Sequence, residues 1–348
     1  MSSLDEDYRG AGIGFAASDG TKPKRDMKTT EEFRSFFASR LVKELESAEN
    51  ARKSTILKAI MVWVITIPVI AGATWGIARW MGQEYLIAIL ILNVLVFGFV
   101  AYMFWREMLS SRRFYNLFKG RVIDGIIRFV DERLHYIPHR YLSPSVLVKS
   151  RLFAKPIHAF EGDDYCFMQL DNGVFLEFSE VHAKTVERKE GKKQVLPVFD
   201  GLFAHVHCAE ARVGDLYILP KGMTEADLYQ PGRLTTYKTD VEEFDKHFTV
   251  YASSAATIRR HLTNSLIQAI LEFHRQNPNR MILLASHGRE LYLGMTCESH
   301  LFEPNVWQSL KDVKGLEEFF ADVNALMHLL NAATDLSGSP VRTEAQPA

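Results

Sequence analysis

The stretch Pro197-Val-Phe-Asp-Gly-Leu-Phe-Ala-His-Val-His-Cys208 carries two histidines and one of the chain's three cysteines in its last four positions. It is either one strand of a sheet or a metal-binding or catalytic corner, and that choice decides how the second half of the chain is read. In a strand, side chains alternate between faces. Leu202, Ala204, Val206 and Cys208 then share an apolar face suited to a core, while Phe203, His205 and His207 share the other. Cys208 points away from both histidines, which disfavours a His/His/Cys metal set. The two histidines could still chelate a metal with a third ligand such as Glu210 or a distant acid. The strand reading predicts a start near Phe199 and a bend or close backbone approach at Gly201. It places His205 and His207 on solvent or in a shallow groove, where replacing both would leave stability nearly intact. Phe199, Asp200, Gly201, Phe203, His205 and His207 are the candidate binding residues; no catalytic residue, metal ligand or cofactor is assigned.

Period-2 patterning extends outward on both sides. Asp164–Leu170 and Val174–Ser179, joined by Asp171-Asn-Gly173, form a hairpin signal, because that turn suits positive φ. Val181–Glu187 extends the second strand, and Arg188–Lys193 is a charged loop. Asp215–Leu219, Thr235–Lys238 and His247–Tyr251 read as short strands, and Met281–Ser286 with Glu290–Thr296 as another hairpin. Helices are expected at Ser145–Phe153, capped by Ser143 with Pro144 in the first turn, at Thr257–Arg275, at Pro304–Leu310 and at Leu316–Asn331. The fold class is α+β: a mostly antiparallel sheet with flanking helices over residues 143–335.

Two uncharged runs precede this domain. Ala59–Ala78 has twenty residues and Tyr85–Trp105 has twenty-one; about 20 apolar residues span a bilayer core. Tryptophan and tyrosine lie near several ends of the runs. The first run begins too far into the chain for an ordinary cleaved signal. Arg40, Lys43, Arg52, Lys53 and Lys58 precede the runs, and Arg106, Arg112, Arg113, Lys119 and Arg121 follow them. The positive-inside rule then puts both termini in the cytoplasm of a multi-pass protein. Gly72-Ala-Thr-Trp-Gly76 permits close helix approach, either to the other span or to another copy, and Asn93 is a lone amide expected to bond across to the partner helix.

Amphipathic stretches flank the spans. Thr30 caps a helix whose Phe33, Phe36, Phe37, Leu41, Leu45 and Ala48 share a face. Phe114 to Leu134 repeats the pattern and ends near Tyr136-Ile-Pro138. Helices of about Thr30–Leu57 and Arg106–Tyr136 would pack antiparallel as a stalk, so residues 29–137 form stalk and transmembrane hairpin. Residues 1–28 and 336–348 read as polar tails.

Composition excludes several classes. With 41 basic and 42 acidic residues the net charge is −1, which argues against nucleic-acid binding. Three scattered cysteines support neither a disulfide framework nor a four-ligand zinc module. No phosphate loop, HExxH, GxSxG or CxxC occurs. Asp163 and Asp164 are adjacent, which in a regular strand puts them on opposite faces.

The order of elements resembles a bacterial two-span membrane-protein family classed as a domain of unknown function, often encoded near LemA-type proteins. The resemblance is carried over residues 30–330 by "SRLF" at Ser150–Phe153, "GDDYCF" at Gly162–Phe167, "NGVFLEFSEVHA" at Asn172–Ala183, "FDGLF" at Phe199–Phe203, "FDKHFTVYAS" at Phe244–Ser253 and the Leu262–Leu271 helix. Asp200 stands where that family has a lysine. The resemblance implies topology and an inner-membrane location, and lends no activity. The expected function is a membrane-anchored cytosolic domain that binds a protein partner, itself or a LemA-type protein, without catalysis. The alternatives are a metal-dependent hydrolase using His205 and His207, and a module sensing lipid at the inner leaflet.

Overall fold

The computed structural model describes residues 27–81, 86–109, 117–169, 173–189, 192–297, 314–335 and 343–345. It is an α+β structure whose centre is one ten-stranded sheet, antiparallel at every pairing. The strands are β1 (His135–Ile137), β2 (Ala159–Gln169), β3 (Phe175–Lys189), β4 (Lys192–His207), β5 (Leu216–Pro220), β6 (Thr235–Thr239), β7 (Phe248–Ala252), β8 (Ile282–His287), β9 (Glu290–Thr296) and β10 (Thr343–Ala345). Their order is β1-β2-β3-β4-β9-β8-β5-β7-β6-β10. The β8–β9 hairpin therefore inserts between β4 and β5, and the two halves of the Pro197–Cys208 neighbourhood are completed by residues about ninety positions downstream.

Both faces of the sheet are covered. On one face Leu202, Ala204, Val206, Leu284 and Leu293 pack under helices in the larger core cluster. On the other, Phe199, Phe203, Tyr217, Leu283, Ala285 and Tyr292 pack under Leu142, Leu147, Leu152 and Leu228. The face of β4 expected to meet solvent is therefore a second core at Phe199 and Phe203, both essentially inaccessible. Gly201 has φ 149°, and a Cβ there would overlap the Met295 carbonyl on β9; only glycine lets the strands approach so closely.

The helical layer begins with α1 (Thr30–Phe36), which continues through a π-helical segment Phe37–Leu41 into α2 (Val42–Met81). The cap is Thr29 rather than Thr30: its hydroxyl accepts from Glu32 N and Glu32 reaches back, a reciprocal capping box. α3 (Leu86–Leu109) follows; a second π-helical segment, Phe118–Ile123, leads into α4 (Asp124–Val130). This helix was expected to reach Tyr136. It stops at Val130 because Asp131 turns extended and its carboxylate takes the Arg133 backbone and guanidinium N–H groups, freeing His135–Ile137 to pair as β1. The two flanking helices run antiparallel: Arg121 pairs with Glu44 at 2.9 Å, Phe129 stacks on Phe36, and Gly125 lies against Leu41. They do not form a free stalk. Phe33, Leu45, Ile126 and Ile127 share one buried cluster with Phe178 and Phe320, so the packing is continuous across residue 137.

Other expectations shift for local reasons. α5 (Pro144–Lys149) ends short of Phe153 because Arg151 is left-handed, φ 59°. His247 closes α6 (Glu242–His247), and the strand starts at Phe248. The single helix expected over Thr257–Arg275 is two, α7 (Ala255–His261) and α8 (Asn264–Gln276). Leu262 is extended and Thr263 caps α8 through Leu266 N. α9 (Lys314–Thr334) completes the layer. Residues 343–345, expected in a tail, pair with β6 as β10. The helix expected at Pro304–Leu310, the turn residues 171–172, the 1–26 part of the N-terminal tail and the segment 110–116 lie outside the described residues.

Among the described residues one helix, Thr30–Ile77, is long and apolar enough to cross a membrane, and its most apolar window has no buried residue. α3 contacts it through Trp63 and Phe97, whose rings lie 4.8 Å apart, and through Asn93 Nδ2, which donates to Thr74 Oγ1 at 2.5 Å. Gly72 and Gly76 face away from described atoms: a Cβ on either meets nothing within 4 Å.

Candidate functional site

Three adjacent strands build the densest polar network on the sheet. β3 places Glu177 opposite His205 on β4, and β9 places Tyr292 on the other side of His205 and Glu290 opposite His207. His205 Nδ1 lies 2.9 Å from Glu177 Oε1 and Nε2 lies 2.7 Å from Glu290 Oε2. The other Glu290 oxygen meets His207 Nδ1 at 2.9 Å, and Tyr165 donates to the other Glu177 oxygen at 2.6 Å. The His205 ring stacks on Tyr292 with centroids 5.0 Å apart. With carboxylates on both ring nitrogens, His205 carries both protons. Burial opposes that charge, but the hydrogen bonds to Glu177 and Glu290 outweigh it and raise its pKa. Burial would raise Glu290, yet its two histidine partners hold it below the usual carboxylate range.

The two histidines, expected on solvent or in a shallow groove, are tied into a network rather than standing free on the strand. His207 is half-exposed, but the His205 side chain is only 16% accessible and sits inside a five-residue chain of hydrogen bonds. Of the other candidates, Phe199 and Phe203 lie deeper on the same face as core residues, with Gly201 between them. Asp200 is on the opposite face. It accepts from His182 Nδ1 at 2.7 Å, and the hydrogen bond to Glu180, aided by Asp200, raises His182 to about 9.

Glu290 and Tyr292 also line a groove of about 390 Å³. The α5 exit, with Lys149 and Arg151, the loop carrying Tyr229 and Gln230, and His287 line it as well. Arg151 (φ 59°) and Gln230 (φ 44°) are two of the three non-glycine residues with positive φ among the described residues. Such backbone is kept where the surroundings over-determine it, and it gathers at functional sites. Tyr229 N donates to Arg151 O at 2.9 Å, tying the two strained segments together. Among the described residues His287 Nε2 has no hydrogen-bond partner, although the ring also meets the Lys149 and Ser150 backbone, and the buried Tyr217 hydroxyl lies against the Arg151 side chain. Burial and Arg151 hold His287 below its ordinary pKa.

The third positive-φ residue is Asp164, φ 60°, at a bulge in β2. The bulge breaks the alternation, so Asp163 and Asp164 reach the same ammonium rather than opposite faces. Lys119 Nζ bonds Asp163 and, at 3.0 Å, Asp164, whose other oxygen accepts from the Tyr136 hydroxyl. Lys119 and Asp164 are almost wholly buried. Burial pushes Asp164 up to about 7, Asp163 adds to the rise, and Lys119 opposes it. The same two carboxylates overcome burial to keep Lys119 charged. This cluster joins the helix following α3 to the sheet.

Among the described residues no group of three or more His, Cys, Asp or Glu side chains has the arrangement to hold a metal ion. Both nitrogens of His205 are already engaged. A larger cavity, about 540 Å³, lies beside Lys28, Phe129 and Asn324, away from the histidines.

Residues 197–333 match the model of a family described as a protein of unknown function (DUF3137). Over this stretch the chain is similar to that family. The matched span runs from β4 into α9 and includes His205, His207, His287, Glu290 and Tyr292, but leaves Glu177, Lys149 and Arg151 outside it. No curated protein and no solved structure matches the chain.

Proposed function

We propose that the chain is a membrane-anchored module in which α2 and α3 cross the bilayer as a hairpin and the sheet domain engages a protein partner on the cytoplasmic side. The observation that carries this reading is the continuity of the first helix. It is packed in the domain core at Phe33, Leu41 and Leu45 and then runs without a break into an apolar stretch that α3 touches at Trp63 and Thr74 and that is otherwise largely exposed. Water would not tolerate that surface, and about 30 Å of hydrocarbon would. α3 has the same character: Ile87, Val94, Leu95 and Phe99 are all exposed.

The cytoplasmic orientation rests on the basic flanks, with one adjustment. Arg52 and Lys53 are paired with buried Glu49, Arg121 with Glu44, and Lys119 with Asp163 and Asp164, so among the described residues before the spans those left to bias orientation are chiefly Arg40, Lys43 and Lys58. The partner is a second copy or, by the family resemblance, a LemA-type protein of the bacterial inner membrane. A hydrolase built on His205 and His207 is disfavoured, because binding a metal would strip His205 of Glu177 or Glu290.

A reporter fused after residue 335 should be active in the cytoplasm; activity confined to the periplasm would overturn the orientation. Crosslinking in native membranes followed by purification should recover a discrete partner or a dimer. Recovery of monomer alone would count against the binding role.

A further inference from the structure

We propose that the groove between Lys149, Arg151 and His287 binds a phosphate-bearing anion. The inference is independent of membrane anchoring and rests on the built character of the groove. Two cationic side chains, two residues apart, project from the exit of α5, where Arg151 is held left-handed and its carbonyl is bonded to Tyr229. The only acid opposing Arg151 among the described residues is Asp215, at 3.7 Å. That is a long contact, and with the Tyr217 hydroxyl as a further neighbour the planar guanidinium still keeps donors for something else. Lys149 is exposed and has no ion pair among the described residues.

The other lining residues mainly add hydrogen-bonding groups. Among the described residues His287 Nε2 is shielded from solvent yet unpartnered. Gln230 and Tyr229 share the lining with it. Glu290 lines the groove too, with each of its oxygens bonded to a histidine, His205 and His207. The ligand therefore meets two cationic side chains and one histidine-bonded carboxylate, a phenolic and an amide group, and the Tyr292 ring. A phosphate matches this best: its oxygens accept from a guanidinium fork and an ammonium together. A groove of about 390 Å³ also leaves room for an organic group on the phosphate, to lie against Tyr229 and Tyr292.

The phosphate could be free in solution or part of a lipid headgroup, and one titration distinguishes them. The full chain, in nanodiscs of neutral phosphatidylcholine, is titrated with phenyl phosphate by calorimetry. Saturable binding is expected, with affinity falling by about tenfold in Arg151→Asn and in Lys149→Gln, the loss of one charge-assisted contact each. Asparagine tolerates the left-handed backbone at 151, and Lys149 is exposed, so the second variant reads out the site even if the first is less stable. Repeating the titration in phosphatidylglycerol discs assigns the source: unchanged affinity marks a soluble phosphate compound, and loss of binding through competition marks the headgroup. The proposal is overturned if phenyl phosphate does not bind in neutral discs, or if its affinity is the same in Lys149→Gln as in the parent.

Discussion

Replacing Lys119 with methionine tests an almost wholly buried ion cluster. Methionine keeps the length of the side chain and removes only the ammonium, so packing against the helical layer is preserved. What remains is Asp164, 1% exposed, with the Tyr136 hydroxyl as its one other side-chain partner, and Asp163 beside it. Removing one partner of a buried ion pair costs about 3–5 kcal/mol, because the other charge is left uncompensated. The cost depends on pH, and its sign follows from Asp164. Its folded pKa, about 7, lies above the ordinary value of 3.8, so the native state binds the proton more tightly than the unfolded chain. The associated stability is complete below the ordinary carboxylate range and is lost as pH rises through about 7. Without Lys119 the native carboxyl rises further, so acid protonates it and relieves the variant. The expected loss is about 3–5 kcal/mol at about pH 8 and markedly less at about pH 5. Pulse proteolysis in urea, on the full chain in detergent micelles, reads both values from the surviving domain fragment. Adding Asp163→Asn and Asp164→Asn should recover most of the loss. A penalty under about 1 kcal/mol at the higher pH, or an equal penalty at both, would refute the argument.

His205→Gln should cost about 1–3 kcal/mol by leaving Glu177 and Glu290 half-satisfied, whereas His207→Gln should fall within about 0.5 kcal/mol of the parent; urea unfolding compares them. Because the folded pKa of His205 is raised, its contribution is full below the ordinary histidine range and fades as pH rises through the elevated value, so the His205→Gln penalty should shrink in alkali. Gly201→Ala combines a forbidden φ with overlap against the β9 backbone, and should lower stability by more than about 2 kcal/mol; a near-neutral melting profile would show that β4 and β9 can move apart. Val206→Asp introduces an unpaired charge at a fully buried position and should abolish the folded sheet signal in circular dichroism.

The sequence by itself determined the class of the fold, the apolar helices and the strand at Pro197–Cys208, because each is written in local periodicity. Leu202, Ala204 and Val206 are core residues for a reason visible within seven positions. It also determined that Gly201 sits where backbone approaches backbone. The site was another matter. Glu177, Tyr165, Glu290, Tyr292 and Lys119 carried no site role in the sequence, since none stands near a histidine or an acid in a telling local pattern. A partial signal existed in the charged loop at 188–193. Pairing outward from Lys189 and Lys192 puts Glu177 next to position 204, but the register shifts by one between Ala183 and Lys184, and a shift of one residue moves a side chain to the other face. That irregularity, and the one at Asp163 that gathers two adjacent acids onto Lys119, follow from neighbouring strands rather than from the residues themselves. The insertion of β8–β9 beside β4 is likewise a long-range choice. It buries the second face of β4, delivers Glu290 to both histidines, and shares a groove with Arg151. These contacts join residues some 30 to 140 positions apart, a separation over which alternation and helical period carry no information, so only the assembled sheet could decide them.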